Sequence, residues 1–481
     1  MARTFRIRSF GCQMNEHDSA RVAGLLESHG LEPAGEVPSA DVLFVNTCCI
    51  RENADNKLYG YLGQLKSLRE ANPAMRIVVG GCLAQREGAA VLERAPFVDV
   101  VVGTHNLGAI PGLLEQRERD GLPAVEILGG VSASKRVSLR VAPREIGEPV
   151  WNLPPATEQR FSAFVSIQQG CNNSCTFCTV PMVRGGEVSR PMESIVEEVE
   201  ALAVTGVTEV TLLGQNVNSY GRDITGRSPL FAELLARVGS VEGVRRIRFT
   251  SPHPKDLRPE TVEAMAEVES VCEQLHLPLQ SGSDTVLARM HRGYTAARYL
   301  EKLASARAVI PDLGVTTDLI VGFPGETEDE FACTLEVVAE AFYDSAYTFN
   351  FSPRPGTPAA GMAGEFVDPA VVRDRFTRLL AVVERAALQH NESRIGMIEE
   401  VLVERVADAP AAVGRTRQGK LVHFAVSAAG RVGSSSLSGD AEESSADNLS
   451  GGVAAVSAGD YITVRITGAG PHHLKGMLAG A

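Results

Sequence analysis

The chain has 481 residues, room for about three domains, and its 44% hydrophobic and 22% charged content is ordinary for a globular protein. No apolar run is long enough to cross a bilayer and the stretch Met1 to Arg8 has no secretion-signal character, so the expectation is a cytoplasmic protein without a membrane partner. Nine cysteines fit reduced thiols acting as ligands better than disulfides, and a net charge of −13 disfavours nucleic acid as a partner unless basic groups gather locally.

Residues 1 to 145 alternate short apolar runs with amphipathic stretches. Strands are expected at Thr4 to Phe10, Asp41 to Asn46, Arg76 to Val79 and Val98 to Val102, and helices at His17 to His29, Asn53 to Glu70, Glu87 to Arg94 and Leu107 to Arg117. Such alternation builds a parallel sheet with helices on both faces, the α/β class. Cys12 follows the first strand, Cys48 the second and Cys82 the third. Ligands of open α/β sheets sit beyond the carboxyl ends of the strands, so three thiols far apart in sequence are expected to meet in one crevice. The plainer alternative is three unrelated buried thiols, because free cysteine is among the most buried residue types. Three thiolates with no fourth would hold a cluster that keeps one iron open.

Pro143, Pro149, Pro154 and Pro155 crowd an aperiodic stretch from Ala142 to Thr157 that reads as a linker. From residue 157 to 390 the alternation resumes. Strands are expected near Phe164 to Gln168, Glu209 to Leu213, Arg246 to Thr250, Gln274 to Leu279, Val315 to Val321 and Tyr347 to Phe351. The helices among them include Ser194 to Thr205, Leu230 to Val238, Pro259 to Val268, Ala296 to Val309 and Glu328 to Ala341. Six such units are too few for a closed eight-stranded barrel and suit an open, partial one with its chemistry at the carboxyl ends of the strands.

Right after the first of these strands stands Gly170-Cys171-Asn172-Asn173-Ser174-Cys175-Thr176-Phe177-Cys178, three thiols with no fourth cysteine or histidine nearby. Structural zinc takes four protein ligands, whereas an iron–sulfur cube on three thiolates leaves an iron free for something exchangeable. A zinc completed by a distant side chain such as His253 is the alternative. Gly214-Gln215-Asn216, Gln280-Ser281-Gly282 and Gly322-Phe323-Pro324-Gly325 follow the second, fourth and fifth strands. There glycine lets backbone approach a ligand and polar neighbours bond its ribose or amino acid end, although Gly325 also reads as a plain turn residue.

Beyond Ile395, short β-like runs at Glu400 to Val406, Lys420 to Ala425 and Tyr461 to Ile466 suggest a small β-barrel spanning 395–476. The Ser-, Gly- and acid-rich stretch 433–452 has too few apolar side chains to pack and is expected to be a disordered or mobile insertion. Arg415, Arg417 and Lys420, with the run Gly468 to Lys475, place cations on the barrel's loops, as modules that track a phosphate backbone do. A solvated loop is the simpler reading.

C-x3-C-x2-C with an aromatic before the last cysteine resembles the signature of radical S-adenosylmethionine enzymes. Gly11-Cys12-Gln13-Met14-Asn15-Glu16, Asn46-Thr47-Cys48, Arg51-Glu52-Asn53-Ala54, Gly80-Gly81-Cys82-Leu83-Ala84-Gln85, Arg184-Gly185 with Ser189-Arg190-Pro191, Leu277 to Ser283 and Arg292-Gly293-Tyr294-Thr295 extend the resemblance over nearly the whole chain. Together they resemble the methylthiotransferase family, closest to its branch acting on N6-dimethylallyladenosine at position 37 of tRNA. Siblings act on threonylcarbamoyladenosine or on a ribosomal-protein aspartate, and a non-catalytic iron–sulfur RNA-binding protein is a further alternative.

The resemblance implies a flavodoxin-like sheet, a partial (β/α)6 radical barrel and a TRAM-type RNA-binding barrel. It implies a [4Fe-4S] cluster on Cys171, Cys175 and Cys178 whose open iron takes the amino and carboxylate groups of S-adenosylmethionine, and a second cluster on Cys12, Cys48 and Cys82 that supplies sulfur. Two S-adenosylmethionine molecules are used per turnover. Phe177 is expected near the adenine, with Gly214, Gln215 and Ser281 as further cofactor contacts. The implied partners are tRNA, an electron donor and a sulfur source, with the protein a monomer. Phosphate contacts are expected from Arg3, Arg6 and Arg8, from Arg184 and Arg190, and from Arg415, Arg417 and Lys420. The chain departs from the family at Cys49, where serine is usual, at Met182-Val183, which replaces a more polar pair, and at the Ser-rich insertion.

Overall fold

A computed structural model describes residues 3–48, 52–129, 140–141, 149–154, 161–406, 411–426 and 456–479. Cys49 and the Ser-rich stretch 433–452 lie outside the described residues.

The first sheet has seven strands, all parallel: Thr4–Phe10, Glu32–Pro33, Val42–Thr47, Arg76–Gly81, Val100–Val102, Ala124–Glu126 and Arg140–Val141. Its order runs second, first, third, then fourth to seventh. That is the flavodoxin-like winding, with its ligand crevice where the order reverses, between the first and third strands. Val42–Thr47 is buried along its whole length, as a central parallel strand with both faces covered must be. The four expected strands are present, and three short ones widen the sheet. The helix expected at Glu87 to Arg94 is instead two, Cys82–Glu87 and Ala90–Arg94, because Gly88 between them takes φ +52° and stops the first. The described part of the expected linker is packed: Val150 and Leu153 join the core of the first sheet, and the Leu153 carbonyl accepts from Arg21 Nη1 at 2.9 Å.

The central domain is an open, partial barrel of six parallel strands in two arcs. Ser162–Ser166, Glu209–Leu213 and Arg246–Phe249 form one arc, and Gln274–His276, Gly314–Val321 and Ser345–Asn350 the other. A lone bridge from Ile247 to Val271 links the first arc toward the second, and one continuous core lies beneath both. A 24-residue helix, Pro369–Glu392, absent from the sequence expectations, packs on the last strand and carries the chain to the C-terminal barrel. It opens as helices do, with the Asp368 side chain accepting from Ala370 N at 2.7 Å and proline at the first turn.

That C-terminal barrel is closed by five strands, Ile398–Val406, Ala411–Arg415, Leu421–Ala425, Tyr461–Gly470 and His473–Leu478. It docks on the amino-terminal ends of the central strands, opposite the cysteine loop. Arg246, fully buried, donates to the carbonyls of Arg415 at 2.9 Å and Glu400 at 3.0 Å, and Arg248 to those of Thr416 at 2.9 Å and Arg417 at 2.8 Å. Arg417 pairs with Glu273 at 2.7 Å, and Lys420, 8% exposed, pairs with Asp344 at 2.6 Å. This corrects the expectation that Arg417 and Lys420 are free to meet phosphate: they fasten the barrel to the core. Arg415 stays partly exposed beside Glu404 at 2.9 Å. Arg184 and Arg190 are likewise buried and matched to carboxylates, Asp18 and Glu198. Among the described residues no helix is long and apolar enough to cross a membrane.

Candidate functional site

The first three cysteines lie at the carboxyl edge of the seven-stranded sheet. Cys12 caps the helix Gln13–Ser28, with the N–H groups of Asn15 and Glu16 donating to its carbonyl at 2.9 and 3.2 Å. Asn15, fully buried, lies 3.4 Å from the Cys12 sulfur through Oδ1 and donates through Nδ2 to Asn46 Oδ1 at 3.0 Å and the Thr47 carbonyl at 3.2 Å. Asn46 answers by donating to the Asn15 carbonyl at 2.8 Å, and Thr47 Oγ1 donates to the Gly80 carbonyl at 3.0 Å. The three loops that carry Cys12, Cys48 and Cys82 are thereby stitched edge to edge. Gly81, at φ +94°, lets the third loop close in, since a Cβ there would stand 2.3 Å from Asn46 Oδ1 and 2.5 Å from the Thr47 carbonyl oxygen.

Electrostatics favour thiolate at Cys12. A hydrogen bond from Cys48 outweighs burial and, with the Arg184 charge, brings the Cys12 thiol down to about 6. Arg184 comes from the central domain, six residues past Cys178, and holds Asp18 at 2.7 Å. Burial alone would lower its pKa, but Asp18 and the Cys82 and Cys12 sulfurs together raise it well above the usual guanidinium value. The next residue, Gly185, accepts from the N–H of Cys171 at 3.2 Å. One short segment thus touches both triads.

The second triad sits at the mouth of the partial barrel. Gly170, at φ +81°, opens its loop, where a Cβ would stand 1.9 Å from the Gly186 carbonyl oxygen. Thr176 straps the loop down by donating through N to the Met290 carbonyl at 3.2 Å and through Oγ1 to the Arg289 carbonyl at 2.9 Å. The sulfurs accept hydrogen bonds aimed at them: Asn173 N to Cys171 at 3.5 Å, Val180 N to Cys178 at 3.4 Å, and Arg292 Nη1 to Cys175 at 3.3 Å. Burial nonetheless pushes the Cys171 thiol up, and Cys178 up to about 12, so an electropositive occupant is needed to draw them down.

Among the described residues no three His, Cys, Asp or Glu side chains gather around one point where a single metal ion would sit. A four-iron cube takes each thiolate on a different iron, and each of the two loop sets offers three thiols among the described residues, the donor set it needs.

Room for an organic ligand is marked by polar atoms that lack partners among the described residues. Gln168 Oε1, Gln169 Nε2, Gln215 Nε2, Asn216 Oδ1 and His253 Nε2 are all buried and unpaired, and all lie just past the carboxyl ends of the first three central strands. Donors and acceptors side by side suit an ammonium–carboxylate end. Of the expected cofactor contacts, Gln215 belongs here, its Oε1 accepting from Gly170 N beside the cysteine loop. Gly214 lies against Gln168, a built Cβ falling 3.5 Å from that of Gln168. Phe177 packs with Val286, Met290 and Phe323 on the other flank of the loop. Ser281 is fully buried, its hydroxyl 3.2 Å from Thr334 Oγ1 and accepting from Ser283 N at 3.2 Å, so its side chain holds the loop. Asn15 and Arg292 were not anticipated as site residues, Arg184 was expected only on phosphate and His253 only as an alternative zinc ligand. Their signal was present, because Asn15, Arg184 and Arg292 fall inside motifs that already stood out.

Curated relatives match this chain along nearly its whole length. A tRNA-2-methylthio-N(6)-dimethylallyladenosine synthase of Frankia casuarinae is 49% identical over 98% of this chain and 85% of its own. One of Mycobacterium bovis is 47% identical over 98% of this chain and 86% of its own. The chain belongs to the tRNA-2-methylthio-N(6)-dimethylallyladenosine synthase family. The Radical SAM superfamily profile matches residues 165–338, which include the second triad, and the profile described as Uncharacterized protein family UPF0004 matches 4–103, which include the first. In fold, the chain is similar to the radical S-adenosylmethionine methyltransferase TsrM of Kitasatospora setae, with TM-score 0.54 at 12% identity over 80% of this chain and 89% of that one. The family therefore matches the fold read from the strands, an α/β sheet, a radical S-adenosylmethionine barrel and a small closed β-barrel.

Proposed function

We propose that this protein methylthiolates C2 of N6-dimethylallyladenosine at position 37 in tRNA anticodon loops. The observation that carries the reading is the pairing of two three-cysteine loop sets across one seam at Arg184, within a chain 49% identical to a synthase of that name. Each triad holds a [4Fe-4S] cluster. With S-adenosylmethionine bound, the clusters supply reductive cleavage, C–H activation and sulfur, and a second S-adenosylmethionine supplies the methyl group.

The chain's own residues bind and position. Cys171, Cys175 and Cys178 hold the radical cluster, and Arg292 steadies the charge on Cys175. Cys12, Cys48 and Cys82 hold the auxiliary cluster, with Asn15 and Asn46 fixing their loops. Gln168, Gln215 and Asn216 present unpaired polar atoms to the amino acid end of the cofactor, and Phe177 fills the apolar flank. Arg184, paired with Asp18, and Gly185, bonded to Cys171 N, hold the carboxyl edge of the first sheet beside the barrel mouth. An external electron donor and a sulfur source complete the cycle, and the protein works as a monomer.

Since Arg417 and Lys420 are engaged, the tRNA backbone lies instead on the outer barrel face where exposed His423 stands opposite Lys475 and exposed Arg465 opposite Met477. Position 37 is single-stranded, so its base splays out at low cost. Mass analysis of tRNA nucleosides from cells with and without the gene tests the reading. Loss of the 2-methylthio group from the prenylated adenosine is expected. Unchanged tRNA with an altered ribosomal-protein aspartate would move the assignment to the sibling activity.

A further inference from the structure

His253 follows the third central strand, and its backbone is clamped from both sides by Asn218, which accepts from His253 N at 2.9 Å and donates to the His253 carbonyl at 3.0 Å. Its ring lies edge-on to Tyr294, centroids 5.8 Å apart. Tyr294 accepts from Arg292 Nε at 3.1 Å, and Arg292 donates to the Cys175 sulfur at 3.3 Å. Through two side chains, therefore, the imidazole is tied to a ligand of the radical cluster.

The protonation of the ring follows from its neighbours. Nδ1 accepts from the backbone N–H of Lys255 at 3.1 Å, so it carries no proton. Burial first, then the charge of Arg292, push the imidazole down to about 2, so it stays neutral at any working pH, with Lys255 and Lys302 adding to the effect and Asp256 opposing it. A neutral imidazole with a bare Nδ1 has its proton on Nε2. Yet Nε2 has no acceptor among the described residues, and His253 is only 7% exposed. A buried donor left unmatched is costly and calls for an acceptor from outside the described residues. Around the ring the cations Arg292, Lys255 and Lys302 outnumber the one carboxylate, Asp256, and an anionic acceptor suits that balance. The ammonium of an amino acid would instead seek the unpaired oxygens of Gln168 and Asn216.

We propose that His253 Nε2–H donates a hydrogen bond to the carboxylate of the S-adenosylmethionine bound at this mouth, and so selects a ligand that carries the amino acid end. The inference rests on the reading of this mouth as the S-adenosylmethionine site.

The test is equilibrium binding to anaerobically reconstituted, unreduced holoenzyme, comparing S-adenosylmethionine with 5′-methylthioadenosine, which lacks the amino acid end. A hydrogen bond to a charged group corresponds to a loss of about 10- to 100-fold in affinity. His253→Ala is expected to weaken S-adenosylmethionine by that factor and to leave 5′-methylthioadenosine within about twofold. His253→Gln, which restores an N–H donor, should recover most of the loss. Iron content equal to the parent's shows that the fold and cluster survive. Equal losses for both ligands, or none for either, overturn the role of His253. A parent holoenzyme that binds neither ligand overturns the cofactor reading itself, and the proposal with it.

Discussion

Replacing Asp18 by Asn leaves Arg184 charged and stripped of its carboxylate at a place where the two residues are 1% and 3% exposed. Charges about 4 Å apart in partly buried protein attract by about 4 kcal/mol, and removing one member of a buried pair costs about 3–5 kcal/mol because the survivor is left unmatched. Cluster-bound sulfurs at Cys12 and Cys82 partly compensate Arg184, so the lower end, about 3 kcal/mol, is expected in holoenzyme. For a cooperative unit of 150–250 residues that is a fall of about 6–12 °C in unfolding midpoint. The double replacement Asp18→Leu with Arg184→Met puts apolar volume where the pair was and should return the midpoint to within about 3 °C of the parent. Acid offers a second reading of the same pair. Burial would raise the Asp18 carboxyl, but Arg184, backed by His17, holds it below the ordinary carboxylate range. A carboxylate with a depressed folded pKa stabilises above its unfolded value and loses that contribution as pH falls through the folded one, so the gap between parent and Asp18→Asn should shrink below about pH 4. Anaerobic calorimetry of holoenzyme across pH measures both. An Asp18→Asn protein melting within about 1 °C of the parent at pH 7 would refute the assignment of the pair as the fastening of the seam.

Replacing Cys171, Cys175 and Cys178 together by Ala should halve the iron of reconstituted protein and abolish 5′-deoxyadenosine formation; full iron retention would count against two clusters. Cys48→Ser should lose the auxiliary cluster, seen by Mössbauer spectroscopy, while S-adenosylmethionine is still cleaved, and Cys49→Ser should keep both clusters. Lys475→Glu with Arg465→Glu should weaken tRNA binding and lower its salt slope by about two. Arg417→Ala should leave that slope unchanged and instead free the C-terminal barrel for proteolysis at low protease dose. An unaltered slope in the first variant would place the RNA elsewhere. Gly81→Ala, which forces a Cβ to within 2.3 Å of Asn46 Oδ1 at φ +94°, should cost the auxiliary cluster and spare the radical one, read by iron content.

What the sequence made legible is what repeats. Strand after strand of valine-rich runs, each followed by its cysteine or glycine loop, locates both mouths because parallel sheets place ligands at one edge. Arg417 and Lys420 were misread because local sequence reports a cation but not its partner. Glu273 and Asp344 stand 144 and 76 positions away, and only the docking of the barrel brings them in. The partner that holds the Ser281 hydroxyl was hidden for the same reason, since Thr334 comes from a helix 53 residues on. His253 entered the sequence reading only as a possible zinc ligand. Its ring tautomer depends on a backbone N–H two residues away and on burial, and neither is written in a motif.

Beside the apolar contact of Val183 with the first sheet's core, the seam carries charge where further apolar contact would hold more tightly. Arg184 with Asp18, and Arg21 with Glu198, join the two domains through nearly buried ion pairs, and Arg190 shares the Glu198 carboxylate from within the central domain. Desolvation makes such pairs a weak source of stability, and apolar replacements are often as stable or more so. What they give is register. Leu against Val can slide by a fraction of an ångström at little cost, whereas a guanidinium and a carboxylate at 2.7 Å cannot. Two triads that must act on one base need a fixed separation more than they need adhesion. On this argument the apolar double variant at Asp18 and Arg184 should fold well and bind both clusters, yet lose methylthiolation while still cleaving S-adenosylmethionine without product. If that variant methylthiolates at the parent's rate, the pair is fastening alone and the register argument fails.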